Sequence, residues 1–298
     1  MINSIQVDIA LISFNQEKYI AQAIESILMQ CVDKPFKLRI IIADDCSTDK
    51  TLDIIQSYEE KSPFPFIYLK SESNIGHIYN YQRVFKKCDG EFLLVLEGDD
   101  YWSSPSHVSQ HLLFLTKHKE CSASINKLAI NDQLCKYWRV RNNLTNQPVS
   151  YIDITQQIRY NHLGNHSACC YRVELLKQIP DIMYEKYFDD WILGMWLCQY
   201  GLIAQLDMVT SVYRIHKLGI YSGASVQDNI QKDVERLNFC KQILSENFHS
   251  IINESINNRR IKTAPKNSIY DWIPEILVVA IKLVFPKGVR RVIRKIFR

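Results

Sequence analysis

The chain has 298 residues, of which 47% are hydrophobic and 23% are charged, and its formal net charge is +4. Residues 264–298 contain eight Lys and Arg against two Asp and Glu, so the rest of the chain is slightly acidic. This length and composition indicate a folded chain with one large domain or two small ones. The charge distribution excludes a nucleic-acid-binding body, because the basic residues are concentrated in the tail.

The cysteine pattern and the chain start both indicate a cytosolic protein. Nine cysteines are scattered without a C-x-x-C or a zinc-ligand spacing, which is typical of reduced thiols. The first residues lack a basic segment followed by an apolar one, so we expect no signal peptide. No run of 18 apolar residues occurs, so we expect no membrane-spanning helix.

The first hundred residues alternate strand and helix patterns. Short apolar runs predict strands, and apolar residues at helical spacing predict helices between them. The predicted strands are Val7–Phe14, Phe36–Ala43, Phe64–Leu69 and Glu91–Leu96, and the helices are Glu17–Gln30, Thr51–Glu59 and Tyr79–Lys87. This rhythm predicts a doubly wound α/β sheet with right-handed crossovers.

Beyond Pro105 the pattern is looser. Residues 121–165 alternate short strand-like stretches with polar loops, and Leu202–Arg214 predicts one or two strands. Predicted helices cover His107–His118, Glu174–Gln178, Trp191–Tyr200 and Val226–Ser245. We therefore divide the chain into a nucleotide-binding half (1–103), a mixed second half of the same domain (104–250) and a helical basic tail (251–298).

Two acidic segments follow predicted strands. Asp44-Asp45 follows the second strand and is explained equally well by a turn with a helix cap or by a contact to a nucleobase or ribose. Glu97-Gly98-Asp99-Asp100 follows the fourth strand, and its three carboxylates repel one another unless solvent or a cation separates them. Because parallel sheets bind ligands at the carboxyl ends of their strands, this segment indicates Mg²⁺ or Mn²⁺ shared with a diphosphate.

Other polar residues have two interpretations each. Asp189-Asp190 precedes an apolar helix and either caps it or supplies a general base. His216 follows a predicted strand, where a structural role is the commoner one, and Asn74-Ile75-Gly76 with Asn80 forms a turn and a helix start. A nicotinamide-dependent oxidoreductase and a P-loop enzyme are both excluded, because neither glycine motif is present.

Taken together, these segments resemble a family 2 glycosyltransferase with the GT-A fold. The order and spacing of the matching segments cover residues 7–216. The segments are Ile12–Asn15, Tyr19–Gln30, Asp44–Asp49, Asn74–Asn80, Gly90–Trp102, Asp189–Trp191 and Tyr213–His216. The resemblance implies a Rossmann-like, mostly parallel central sheet flanked by helices, with a mixed acceptor-side half and a C-terminal amphipathic helical tail.

The resemblance also implies roles for individual residues. The donor nucleotide would be bound by Phe14, Asn15, Asp45, Gly76, Asn80, Asp99 and Asp100. A Mn²⁺ or Mg²⁺ ion would be bound by Asp99, Glu97 and His216, and Asp190 would be the catalytic base, with Asp189 in the preceding acidic position. The chain departs from the family pattern in having Glu97 at the first D-x-D position and Phe14 where a tyrosine is usual.

The implied activity is inverting transfer of a sugar from a nucleoside-diphosphate sugar to a saccharide or lipid-linked saccharide, in bacterial surface polysaccharide synthesis. A polyprenyl-phosphate glycosyltransferase and a non-catalytic nucleotide-sugar-binding protein remain the alternatives. In the tail, Val289, Val292, Ile293, Ile296 and Phe297 alternate with basic residues at helical spacing. We therefore expect the tail to bind anionic lipid at the inner face of the cytoplasmic membrane, or else to dock on the body.

Overall fold

The computed structural model describes residues 4–141, 147–217 and 226–263. Residues up to Ile256 form one compact unit, and residues 257–298 form a second, of which only 257–263 are described. The strands are β1 (Ile5–Ser13), β2 (Phe36–Asp44), β3 (Phe66–Tyr68), β4 (Phe92–Glu97), β5 (Tyr101–Trp102), β6 (Cys121–Asp132), β7 (Tyr137–Arg141), β8 (Val149–Ile152), β9 (Cys169–Arg172) and β10 (Leu202–Ile215).

Helices flank these strands. They are α1 (Ile20–Leu28), α2 (Thr51–Ser57), α3 (His77–Lys87), α4 (His107–Lys117), α5 (Ile154–Arg159), α6 (Val173–Leu176), α7 (Asp181–Lys186), α8 (Asp190–Leu197), α9 (Val226–Ile243) and α10 (His249–Thr263). No helix in the described part of the chain combines the length and apolar character that a membrane span requires.

The ten strands form one sheet in the order β3-β2-β1-β4-β9-β6-β10-β5, with β7 beside β6 and β8 beside β10. The β3-β2-β1-β4 part is parallel throughout, as the sequence predicted. The other part is mixed, because β9 runs antiparallel to both β4 and β6, whereas β6 and β10 are parallel to each other. The predicted α/β GT-A architecture is confirmed.

The parallel strands β1, β2 and β4 are buried on both faces over most of their length. Alternate residues of β1 and β2 enter different apolar clusters: Ala10 and Ile41 belong to one, whereas Ile9 and Ile40 belong to the other. The pairing registers bring Ser13 beside Asp44 and Ile12 beside Glu97, so the carboxyl ends of β1, β2 and β4 meet at one edge. This edge carries the acidic segments that the sequence indicated.

A buried ion pair joins the opposite, amino-terminal ends of these strands. The fully buried Asp8 of β1 accepts hydrogen bonds from Arg39 of β2, with a shortest distance of 2.5 Å. The same carboxylate accepts from the backbone amides of Asp89 and Gly90, each at 2.9 Å, just before β4. One side chain thus connects three neighbouring strands far from the edge that carries the acidic segments.

Several predicted boundaries were wrong in the second half. The stretch 121–165 contains a strand of 12 residues and helix α5, where short strands and loops were expected. Helix α5 begins with a capping box, in which the Asp153 side chain accepts from the Gln156 amide and the Gln156 side chain accepts from the Asp153 amide. Helix α7 was not predicted, and Leu202–Arg214 is one strand whose register shifts near Val209.

The division at residue 103 stays a prediction, because the sheet runs without a break from β4 into β9. The amphipathic pattern of residues 264–298, on which the predicted lipid contact rests, lies outside the described residues.

Candidate active site

A cavity of about 530 Å³ opens at the carboxyl ends of β1, β2 and β4. The end of β10, the loop before β9 and the start of α8 complete its wall. Its volume lies within the range of small-molecule binding pockets. The predicted site residues that line it are Phe14, Asn15, Asp45, Gly76, Asn80, Glu97, Asp99, Asp189, Asp190 and His216.

One end of the cavity combines an exposed ring with polar groups. Phe14 is 42% exposed, so one face of its ring is available for stacking. The side-chain oxygen of Asn15 accepts a hydrogen bond from the backbone amide of Thr48 at 2.8 Å. Asp45 accepts from the backbone amides of Ile75 and Gly76 at 3.0 and 2.8 Å. Asp45 and Gly76 are therefore in direct contact, and the carboxylate holds the Asn74–Gly76 turn against β2.

Asn80 connects two elements beneath this end. Its side-chain NH₂ group donates to the backbone carbonyl of Ala43 at 2.8 Å. Its side-chain oxygen accepts from the Arg83 guanidinium at 2.7 Å. Arg83 also donates to the Asp44 carbonyl at 2.7 Å. The guanidinium thus closes the carboxyl end of β2, a role that the sequence pattern did not indicate.

Glu97 lies at the centre of a hydrogen-bond network. Its two carboxylate oxygens accept from the Tyr81 hydroxyl at 2.9 Å and from the Asn165 amide at 3.1 Å. Burial, followed by the negative charges of Asp99 and Asp190, raises the pKa of Glu97 to about 8. Without a cation nearby, this side chain is therefore largely protonated at neutral pH.

Asp99 and His216 face each other at the cavity wall. The His216 Nε2 lies 3.0 Å from the Asp99 Oδ2. The ring of Tyr19 packs on His216 with 4.8 Å between ring centroids. Arg214 donates to the Asp99 carbonyl and stacks on the Tyr101 ring at 4.5 Å. These contacts hold the ends of β4 and β10 together.

The donor set here fits a divalent cation in part. A carboxylate oxygen and an imidazole nitrogen are both ligands of Mn²⁺, and both line the cavity. Within the described residues no group of three His, Cys, Asp or Glu side chains is arranged to hold a metal. Asp99 and His216 would thus supply two ligands, and a diphosphate and water molecules would supply the others. Such a mixed ligand set is usual for Mg²⁺ bound with a nucleotide. Ligation by Glu97 stays a prediction, since both its oxygens already accept hydrogen bonds.

Asp100 lies behind the cavity wall rather than on it. The fully buried carboxylate accepts from the Asn165 amide at 3.1 Å, the Ser167 hydroxyl at 2.8 Å and the Arg214 backbone amide at 3.0 Å. Burial, with the charges of Asp99 and Glu97, raises its pKa well above the usual range. These contacts give Asp100 a bracing role, and its predicted donor contact stays a prediction.

Asp189 combines a helix cap with an ion pair. Its Oδ1 accepts from the Ile192 amide at 2.9 Å at the start of α8. Its Oδ2 lies 2.6 Å from the Arg236 guanidinium of α9. Burial and the neighbouring Asp190 raise the pKa of Asp189 to about 6, against the opposing effect of Arg236. Both oxygens of this carboxylate are thus already bound within the protein.

Asp190 is held differently. It accepts from the Trp191 amide at 3.0 Å and from the Asn161 side chain, and the Arg141 guanidinium attracts it. Arg141 in turn donates to the Asn161 carbonyl at 2.5 Å. Burial raises the pKa of Asp190, and Asn161 and Arg141 oppose that rise. Gly164 has φ of 73°, and a Cβ on it would lie 2.2 Å from the Arg141 guanidinium, so the glycine makes room for this arginine.

The site contains residues that the sequence did not indicate. They are Tyr81, Arg141, Asn161, Asn165 and Arg236. Their only sequence signal is the concentration of asparagine in the loop at 161–165, which by itself indicated a polar connection. The three carboxylates of the acidic segment, by contrast, were found because they directly follow an apolar strand.

The fold is that of GT-A glycosyltransferases. The structure of Staphylococcus aureus TarS residues 1–349 in complex with UDP-GlcNAc matches with a TM-score of 0.65 over 88% of this chain and 74% of that one, at 20% identity. A mannosyltransferase from Pyrobaculum calidifontis, solved with GDP-Man and Mn²⁺, matches with a TM-score of 0.60 at 12% identity over 97% of this chain and 83% of that one. These likenesses establish the fold class.

The family follows from the sequence comparison. The model described as Glycosyl transferase family 2 matches residues 8–179, more than half of the chain. The chain therefore belongs to glycosyl transferase family 2, which confirms the resemblance stated above.

Relatives extend the comparison without assigning a substrate. An uncharacterized protein of Mycobacterium tuberculosis is 30% identical over 72% of this chain, and the match spans only 60% of that relative's length. A putative teichuronic acid biosynthesis glycosyltransferase of Bacillus subtilis, TuaG, is 25% identical over 77% of this chain and 88% of its own length. The chain thus covers less than two thirds of the first of these relatives.

Proposed function

We propose that the protein is an inverting glycosyltransferase that moves a sugar from a nucleoside-diphosphate sugar to a saccharide or lipid-linked saccharide. One observation carries the proposal. Phe14 and Asp45, the Asp99–His216 pair and the carboxylate of Asp190 all line the same cavity at the carboxyl ends of the parallel strands. A donor base, a diphosphate and a general base are the three requirements of this chemistry, and one cavity supplies a group for each.

The donor half of the cavity supplies binding and orientation. The exposed face of Phe14 stacks on the nucleobase, and Asp45 and Asn15 lie where they accept from the base or ribose. Asp99 and His216 would hold a divalent cation, which would supply positive charge to offset the negative charge of the leaving diphosphate. Asn80 and Arg83 keep the end of β2 in place beneath the nucleotide.

The proton transfer falls to Asp190. An acceptor hydroxyl attacks the anomeric carbon as the bond to the diphosphate breaks, and Asp190 takes the hydroxyl proton. Its raised pKa makes it a stronger base than an exposed carboxylate. Asn161 and Arg141 orient the carboxylate. One displacement inverts the anomeric centre without a second, nucleophilic carboxylate.

The acceptor class is suggested by relatives. Staphylococcus aureus TarS, named a poly(ribitol-phosphate) beta-N-acetylglucosaminyltransferase, is 36% identical over 90 residues, or 30% of this chain and 15% of its own length. Together with TuaG it supports a role in bacterial surface polysaccharide synthesis. The basic amphipathic pattern of residues 276–298 supports action at the inner face of the cytoplasmic membrane, close to a lipid-linked acceptor.

The test is a thermal-shift screen of nucleotide sugars with Mn²⁺ or with EDTA, followed by a donor-hydrolysis assay. One donor should raise the melting temperature in a Mn²⁺-dependent way and be hydrolysed slowly. Asp99→Ala should abolish the Mn²⁺-dependent part of the shift. A protein that binds a donor but never cleaves it, even with acceptors present, would instead be a non-catalytic binding protein.

Asp190→Asn tests the assignment of the base. It should leave donor affinity intact and lower turnover about 10²–10⁴-fold. Asp181→Asn, on the exposed start of α7 and outside the cavity, is the matched control and should change neither value. If Asp189→Asn abolishes turnover while its fold is retained, and Asp190→Asn does not, the base is assigned to the wrong residue.

A further inference from the structure

Residues at or near the two ends of strand β7 contact residues that line the cavity. The strand follows a turn at Gln133, whose side chain accepts from the Tyr19 hydroxyl at 3.2 Å, and Tyr19 packs on His216. It ends at Arg141, which binds the Asn161 and Gly164 carbonyls beside Asp190. The strand therefore extends from the proposed cation corner to the proposed base.

Three residues of β7 lie on one face of the strand. Alternate residues of a strand share a face, so Tyr137 and Arg139 lie on the same side as Arg141. The paired residues on β6 are Ile130 opposite Arg139 and Leu128 opposite Arg141, and both belong to a small apolar cluster with Ala168. Ala168 lies just before β9, in the segment that braces Asp100 through Ser167. Tyr137 and Arg139 thus lie on the strand face of Arg141, which contacts the Asn161–Gly164 loop of the cavity wall.

Arg139 and Tyr137 are available to a ligand. Tyr137 is 43% exposed and Arg139 is exposed as well. Neither side chain has a hydrogen bond or ion pair within the part of the chain that the structure describes, whereas Arg141 is bound to the Asn161–Gly164 loop. Arg139 lies two residues, about 7 Å, along the strand from Arg141. The strand thus offers a cation and an aromatic ring to which the described residues give no hydrogen-bond or ion-pair partner.

We propose that this face of β7 binds an acidic group of the acceptor, a phosphate or a carboxylate, through Arg139, while the Tyr137 ring stacks on an adjacent sugar. The proposal deepens the proposed function and rests on it, since it names the acceptor as an anionic saccharide. A guanidinium binds either kind of acidic group through paired N–H donors. The aromatic face offers an apolar surface to the C–H side of a sugar ring.

Electrostatics supports an anionic acceptor held at this position. The cavity wall carries the carboxylates of Asp45, Asp99 and Asp190, which would repel a negatively charged acceptor. A cation at the rim offsets that repulsion and holds the acidic group outside the cavity, while the neighbouring hydroxyl reaches Asp190.

Binding is measured with the full chain, without a donor, against two acidic probes and one neutral probe. The probes are poly(glycerol phosphate), oligogalacturonate and maltoheptaose, and the two acidic probes distinguish phosphate from carboxylate. Arg139→Gln should lower the affinity for whichever acidic probe binds by about tenfold. This is the loss expected when one charge-assisted hydrogen bond is removed. Arg139→Lys should recover part of this affinity. Affinity should also fall with added salt.

Lys37→Gln is the matched control, because Lys37 is an exposed cation near the amino end of β2, opposite the cavity. It should leave binding unchanged. Equal binding of maltoheptaose and the acidic probes, or unchanged binding by Arg139→Gln, would overturn the proposal. Binding to phosphatidylglycerol vesicles is measured in parallel. If Arg139→Gln lowers only the affinity for these anionic vesicles, β7 is a membrane contact and the proposal is also overturned.

The outcome is separable from that of the proposed function. Nucleoside-diphosphate affinity and donor hydrolysis test the donor cavity and need no acceptor. If the donor binds and is hydrolysed but no acidic probe binds, only the acceptor proposal fails. If an acidic probe binds in an Arg139-dependent way but no donor is bound or cleaved, the transferase proposal fails and the β7 contact stands alone.

Discussion

Replacing Glu97 by glutamine should stabilise the protein at alkaline pH. The Glu97 pKa is raised from 4.5 to about 8 in the folded protein, chiefly by burial. A carboxyl group with a raised pKa contributes stability fully below its unfolded pKa, and that contribution is lost as the pH rises through the folded pKa. Wild-type stability should therefore fall between about pH 4.5 and pH 8, and Glu97→Gln should remove this part of the fall.

The geometry allows the glutamine. Its carbonyl oxygen can accept from the Asn165 amide, and its amide can donate to the Tyr81 hydroxyl, so both contacts of the carboxyl group are retained. With a pKa of 4.5 in the unfolded chain and about 8 in the folded protein, Glu97 lowers the free energy of unfolding. The loss rises from about 2 kcal/mol at pH 6 to about 4 kcal/mol at pH 8. Because Glu97 is partly exposed to the cavity, solvent screening reduces this difference to about 1 kcal/mol.

The assay is urea unfolding at pH 6 and pH 8, in EDTA and without nucleotide. Wild type should lose about 1 kcal/mol more than Glu97→Gln between the two pH values. Other carboxylates with raised pKa values, such as Asp189, lower the free energy of unfolding in both proteins as the pH rises. Their contributions largely cancel when the two proteins are compared. Glu60→Gln on the exposed surface should behave as wild type. Parallel losses in wild type and Glu97→Gln would refute the raised pKa.

Three further changes have defined outcomes. Gly164→Ala should lower turnover and shift its pH profile, because a Cβ at φ of 73° displaces Arg141 from Asp190; steady-state kinetics across pH checks this against an unchanged donor affinity. Asp8→Ala should lower the free energy of unfolding by about 1–3 kcal/mol, since it leaves the backbone amides of Asp89 and Gly90 without their buried acceptor while Arg39 keeps Asp89 as a partner; urea unfolding measures it. A chain ending at Pro265 should no longer float with anionic vesicles at low salt, whereas the full chain should.

The donor side of the fold could be predicted from the sequence because its signals are local. Strands β1, β2 and β4 each contain an apolar run, and polar residues at or just after their ends line the cavity, among them Asp45 and Glu97. The strand register then brings those ends together without further information. Only the element boundaries differ from the prediction. Helix α1, predicted to begin at Glu17, begins at Ile20, because the Gln16 carbonyl accepts from the Tyr19 and Ile20 amides in a turn before it.

The acceptor side could not be predicted in the same way, because its contacts join segments distant in the sequence. Asn165 reaches Glu97 and Asp100 across 68 and 65 residues, and Asp190 is held by Asn161 and Arg141 from two other segments. A loop asparagine in the sequence predicts only a polar turn. Its partner is fixed by the antiparallel pairing of β9 with β4 and β6, which no local pattern reports.

This division has a mechanical consequence for the proposed reaction. The carboxylates that would bind the donor follow strands of the rigid parallel sheet, whereas Asn161 and Arg141, which orient Asp190, belong to a loop and to an edge strand. Arg141 couples the two roles of the acceptor side, because it attracts Asp190 and shares its strand face with Arg139. An acidic group bound at Arg139 would add negative charge near Asp190, while Arg141 keeps its contacts with Asn161 and Gly164. The pKa of Asp190 would then rise further, so acceptor binding would strengthen the base at the time it is needed.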